Sequence, residues 1–180
     1  MASYQTVLNF WFKELTPEQW FKKDATLDKQ ITERFSGLLL QASQCELFSW
    51  RDEPKGRLAE IIVLDQFSRN IFRDTSAAFA TDPLALALAQ EAVTRKADQA
   101  LTTSERSFLY MPYMHSESAA IHALAMQLFN QPGLENNLEF ERKHKDIIDR
   151  FGRYPHRNTL VGRTSTDEEL AFLQQPGSGF

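Results

Sequence analysis

Apolar residues along this chain recur at intervals of three and four rather than two, and the pattern predicts helices nearly throughout. VLNFWF opens a first helix. TPEQWF follows, with Thr16 as N-cap, Pro17 in the first turn and Gln19 closing a capping box. Leu27, Ile31, Phe35, Leu38, Leu39 and Ala42 share one helical face. After the break SWRDEPKG, Gly56 or Arg57 starts RLAEIIVLDQFSRNIFR. There Ile61, Ile62, Val63, Leu64, Phe67, Ile71 and Phe72 cover most of the circumference, so this is the predicted central helix. IIVL alone would fit a strand, but its flanks keep the 3.6-residue rhythm.

TDPLALALAQEAVTRKA is a helix capped by Thr81 or Asp82, with Pro83 in its first turn. A Thr102–Glu105 capping box opens the next, and Pro112 marks a boundary. Ser116 is the predicted cap of a helix over 116–130, followed by one over 136–150 that Gly152 closes in a left-handed position. A Ser165–Glu168 box opens the last. The expected fold class is all-α, built of antiparallel helical hairpins in one domain over 1–180. No sequence repeat shows at the 34-residue tetratricopeptide period.

Composition narrows the function classes. Of 180 residues, 42% are hydrophobic and 24% charged, as in ordinary globular domains. The net charge of -4 argues against a nucleic-acid partner, which would need a broad basic face. A single cysteine, Cys45, excludes an internal disulfide and a multi-cysteine zinc site, and reads as a small packing residue. No apolar run approaches the roughly 18 residues of a membrane span, and the first residues lack the basic start and apolar run of a secretory leader. The expectation is a cytoplasmic protein without a membrane partner.

Three polar groups stand out. Asp65, Arg69 and Arg73 fall four residues apart on the central helix, beside Gln66 and Asn70. Polar groups on so apolar a helix must be hydrogen-bonded or line a wet cavity. In YMPYMHSES, His115 and Glu117 stand at a helix start, where backbone N–H groups favour anions. In RFGRYPHRNTLVGR, four of the chain's twelve arginines fall within fourteen residues that contain no lysine. Arginine's planar fork grips carboxylate or phosphate with two hydrogen bonds, which lysine cannot do. Arg153, His156, Arg157 and Asn158 fall on a rigid turn, after the Gly152 stop and around Pro155, which keeps the helix from resuming, with Arg163 beyond. His115, His122, His144 and His156 lack a tight metal-ligand spacing, so no metal is expected. Nucleophile-elbow, P-loop and dinucleotide glycine motifs are absent.

NFWF, LDQFSRNIFRDTSAAFATD, YMPYMHSES, HKDIIDRFGRYPHRNTLVGR and STDEELAFL together resemble the bacterial family called domain of unknown function 924, across essentially the whole chain. The resemblance implies an all-α, tetratricopeptide-like fold and no established activity. The family pattern matches Asp65, Gln66, Arg69, Asn70, Arg73, His115, Ser116, Glu117, Arg150, Arg153, His156, Arg157, Asn158 and Arg163. It places an acidic residue and, a turn later, a glutamine where this chain has Ser118 and His122.

Two function classes follow. The first is a pocket for a small anionic ligand, clamped by Arg69, Arg73, Arg153 and Arg157 and lined by Asp65, Gln66, Asn70, Asn158 and Arg163. There His115 or His156 would act as acid or base, oriented by Glu117 or Asp65. The second is a helical scaffold for a protein or peptide, with the arginines paired internally and Trp11, Trp20 or Trp50 as anchors. Neither class calls for a cofactor. The first does not require catalysis.

Overall fold

Six apolar side chains spaced along Leu27–Ala42 should take one helix face out of water. In the structure, a computed structural model that describes residues 3–180, all six are buried on α3 (Ala25–Ser43). Asp24 caps that helix by accepting the Thr26 and Leu27 N–H groups. α1 (Tyr4–Asn9) runs into a π-turn, Phe10–Glu14, and α2 (Pro17–Phe21) opens on the expected Thr16–Gln19 box.

The predicted central helix is interrupted. α4 (Pro54–Ile62) starts at a proline, two or three residues earlier than expected, and leads into a π-turn, Val63–Phe67. α5 (Ser68–Ile71) follows, so Arg73 lies beyond the helix. Widening the turn frees carbonyl groups that need donors. The Ser68 and Thr81 hydroxyls both donate to the Leu64 carbonyl, each at 2.6 Å. Ile61, Ile62, Val63, Leu64 and Phe67 are fully buried as expected, whereas Phe72 is exposed.

α6 (Asp82–Thr94) and α7 (Thr103–Met114) complete the first part of the chain. Pro112 lies inside α7 rather than ending it. It falls two residues from the helix end, so the one hydrogen bond it forfeits is in the last turn. Residues 3–73 with 77–112 form one compact unit, in which α1 packs on α4, α4 on α6, and α3 against the π-turn and α5. Its core is aromatic: Phe35 and Phe67 centre 4.7 Å apart, and Trp11 meets Phe108 edge-on at 5.4 Å. Cys45 is exposed, correcting its reading as a packing residue; it stands just past α3 at φ 60°.

Residues 74–76 with 113–180 form a second compact unit. α8 (Ala119–Phe129) packs on α9 (Glu135–Phe151), which ends as predicted at Gly152, φ 69°. A 3-10 turn, Pro155–Arg157, leads towards α10 (Asp167–Leu173). Two boundaries shift. α8 starts after Ser118, not Ser116, whose hydroxyl instead accepts the Ser118 N–H. The last capping box is Thr166–Glu169, one residue later than expected, which leaves Ser165 to accept a bond from Asn158. Ile147, Ile148 and Tyr154 form a small core with Phe151 and Phe172. Among the described residues there is no strand, and no helix is long and apolar enough to cross a membrane.

Candidate functional site

In the first unit, the polar stripe of the central helix finds carboxylates on other elements. The Arg69 fork grips Asp82 at 2.7 and 2.9 Å and also donates to the Asp65 backbone carbonyl. The contact between the Asp65 and Arg69 side chains, four residues apart, is secondary, at 3.5 Å. Asp65 itself is buried and accepts from Gln66. Arg73 grips Asp28 of α3 through two bonds, joined there by the Asn70 amide. Burial alone would raise Asp28, but these donors outweigh it and hold the carboxyl below its ordinary value. Asp28 and Asp82 were not foreseen as partners.

In the second unit, the arginine-rich stretch is a continuous chain of hydrogen bonds. The Arg163 fork meets Glu117 with two bonds of 2.8 Å, and the Tyr154 N–H adds a third at 2.8 Å. Arg163 Nε donates to Asn158, whose amide donates in turn to Ser165 and Glu169. Arg153 closes the chain, gripping Glu169 at 2.7 and 2.8 Å. Arg157 lies over the Tyr154 ring and donates to the His115 carbonyl. The remaining arginine of the stretch, Arg150, pairs with Glu168 at the surface.

These contacts set the charges. The Arg153 fork, only partly offset by desolvation, pulls Glu169 down to about 2. Burial would raise Glu117, but Arg163, the Tyr154 N–H and the nearby Arg157 hold it below its ordinary value. Glu117 thus serves as an anion held by arginine, not as the carboxylate that orients a histidine.

That orienting role belongs to Glu141. It is fully buried on α9, with Oε1 2.6 Å from His122 Nδ1. His122 Nε2 lies 2.7 Å from the Ser116 carbonyl, which can only accept, so Nε2 carries a proton. The Tyr154 hydroxyl donates to the Met114 carbonyl at 2.6 Å and lies 3.1 Å from Nε2. Burial pushes Glu141 above its ordinary value despite the opposing pull of His122. His115 and His156 are half-buried, and His156 borders the Tyr154 ring at 5.6 Å. Among the described residues, no group of three or more His, Cys, Asp or Glu side chains is placed to hold a metal ion.

A family model described as a bacterial protein of unknown function (DUF924) matches residues 7–177. The chain belongs to this family. A solved structure of a protein of unknown function from Agrobacterium tumefaciens shares 40% identity with it. That match covers 95% of this chain and 96% of the other, with a TM-score of 0.90. No curated protein matches. The DUF924 description carries no activity, so function has to be argued from the side chains.

The residues missed by sequence reasoning in this DUF924 chain left a faint signal. Leu138, Glu141, His144, Ile147 and Ile148 all lie on the buried face of α9, so two polar residues interrupt its apolar stripe. His122 does the same on α8, beside the buried Ala125 and Phe129. A polar residue on a buried face needs a partner, and His122 and Glu141 supply one another.

Proposed function

We propose that the chain binds a small anionic ligand bearing a carboxylate or phosphate, received in the second unit at the place where Glu117 now sits. One observation carries this reading. The Glu117 carboxylate rests in a cradle made of the Arg163 fork and the Tyr154 N–H, with the Arg157 charge nearby. The Glu117 and Arg163 side chains remain 27% and 26% exposed, so a dissolved anion can exchange with the carboxylate. In this reading Arg163 and Arg157 recognise the anion, and Arg153 and Asn158 brace them. His115, two residues before Glu117, and His156, two residues after Tyr154, are the acid–base groups adjoining the cradle in sequence. Arg69 and Arg73, with Asp65, Gln66 and Asn70, then serve as braces of the first unit rather than clamps.

A second reading is favoured by the two-pronged pairing of Arg69, Arg73, Arg153 and Arg163 with the chain's own carboxylates. There the network is structural, and the chain acts as an interaction scaffold. Of the three proposed anchors, Trp11 and Trp50 are buried and Trp20 is half-buried. Thermal melts of wild type, Glu117→Ala and Arg163→Ala in acetate, phosphate and chloride of equal ionic strength separate the readings. An anion at about 100 times its dissociation constant adds roughly 2.7 kcal/mol of stability. Binding predicts that acetate or phosphate stabilises Glu117→Ala well beyond wild type and has no such effect on Arg163→Ala. Identical responses to all three salts in Glu117→Ala would leave the structural reading standing.

A further inference from the structure

Three carbonyl groups in a row, those of Met114, His115 and Ser116, end α7 and begin the loop that carries Glu117. Each is met by a donor from further along the chain. The Tyr154 hydroxyl donates to Met114 at 2.6 Å, Arg157 to His115 at 3.0 Å, and His122 Nε2 to Ser116 at 2.7 Å. Carbonyls at a helix end have no partner within the helix, so these donors fix where the loop runs. Of the three donors, only the His122 ring can change which nitrogen bears a proton.

The His122–Glu141 pair holds two protons in this geometry. One sits on Nε2 and faces Ser116. The other lies between Nδ1 and Glu141 Oε1 across 2.6 Å, where two lone pairs would otherwise meet. Whichever atom holds that second proton, the two groups titrate as a unit. Loss of one proton leaves an anionic Glu141 and a neutral ring with a single N–H. That N–H belongs on Nδ1, because a lone pair facing a buried carboxylate costs more than one facing a neutral carbonyl. Nε2 then presents a lone pair to the Ser116 oxygen, and the contact must open. The Tyr154 hydroxyl, 3.1 Å from Nε2, can turn to serve it, and in doing so leaves the Met114 carbonyl.

The surroundings set how firmly the second proton is held. Glu141 Oε2 is buried and meets no hydrogen-bond donor among the described residues, so the bare carboxylate is costly and the proton stays on above the ordinary carboxylate range. Lys145, one turn along α9 and tied to Asp149, pulls the other way. His144 is near His122 as well as His115 and His156, but burial brings its ring down to about 3, so it adds no charge at pH 7.

We propose that the His122–Glu141 pair is a proton-operated latch. With its second proton it holds the Ser116 carbonyl; on losing that proton it releases the loop 115–118, and Glu117 with it. As control over the Glu117 cradle this rests on the anion reading, whereas the latch itself rests on the contacts of His122, Glu141 and Tyr154 alone.

The Ser116 carbonyl and the Glu117 N–H belong to one peptide group, so the Glu117 amide nitrogen reports on the donor that the carbonyl receives. Nitrogen-15 spectra of wild type and Glu141→Gln from pH 5 to pH 10, without phosphate or acetate, read both ends of the latch. In wild type the His122 proton is expected to pass from Nε2 to Nδ1 as pH rises, and the Glu117 amide nitrogen to shift with the same midpoint. Glu141→Gln cannot ionise, so the Glu117 step at that midpoint should be lost. A His122 ring that keeps its Nε2 proton up to pH 10, a Glu117 nitrogen that stays put while the ring changes, or the same Glu117 step in Glu141→Gln would each overturn the proposal. The first two are read in wild type and do not depend on the variant folding. With no anion present, the outcome is independent of the salt series that tests the cradle.

Discussion

Glu169→Gln keeps the size of a side chain that ties the arginine-rich turn to α10, but removes its charge. Glu169 Oε1 accepts from Arg153 Nε, while Oε2 accepts from Arg153 Nη2, the Thr166 N–H and Asn158. An amide must set its NH2 against one of these groups of donors. The Arg153 contacts bring the carboxyl from 4.5 to about 2. Each tenfold change in proton affinity is worth about 1.4 kcal/mol, so the gross linkage is about 3 kcal/mol. Arg153 is 29% exposed and water screens the pair, so we expect about 1.5–2 kcal/mol at pH 7.

Because the folded value is depressed, this stability is fully present above the ordinary carboxylate range and disappears as pH falls through about 2. Urea unfolding of both proteins from pH 7 to pH 2 is the assay. The gap between wild type and Glu169→Gln should narrow by about 1.5 kcal/mol across that range, leaving only the packing cost of the amide. At pH 7 it corresponds to a melting difference of about 3–8 °C for a chain of this size. A gap that stays constant from pH 7 to pH 2 would refute the reasoning, because the loss would then not come from the charge.

Glu141 should behave in the opposite sense. Its value is raised by burial, so its contribution is complete below the ordinary carboxylate value and is lost as pH rises through the folded value. Glu141→Gln, which cannot ionise, should flatten the fall in melting temperature expected of wild type as pH rises above the ordinary carboxylate range; parallel pH profiles would contradict this. Tyr154→Phe removes the donor to the Met114 carbonyl and the hydroxyl beside His122, and should cost about 1–3 kcal/mol in denaturant titration. Gly56→Ala should cost about 3 kcal/mol or more, since a Cβ there would lie 2.0 Å from the Trp50 carbonyl oxygen and the backbone would have to move. A melt within 2 °C of wild type would rule that out.

Short-range rules made much of the fold legible. The α3 face, the Thr16, Asp82–Pro83 and Thr102 starts, and the Gly152 stop depend on residues within a turn or two of one another. The same rules failed where a residue outside the helix intervened. Thr81, seventeen residues on, donates to the Leu64 carbonyl at the π-turn that divides the central helix, and Asn158 takes the Ser165 hydroxyl while the capping box forms one residue later.

By itself, then, the sequence determined an all-α chain, its apolar faces, and the clusters where arginine and histidine would matter. Tertiary structure alone decided what each charged group meets. Arg69 finds Asp82 thirteen residues away, Arg73 finds Asp28 at forty-five, Arg163 finds Glu117 at forty-six, and His122 finds Glu141 at nineteen. No local periodicity encodes those separations. They follow from which helices pack together, since a buried charge must pair with whatever opposite group that packing brings within reach.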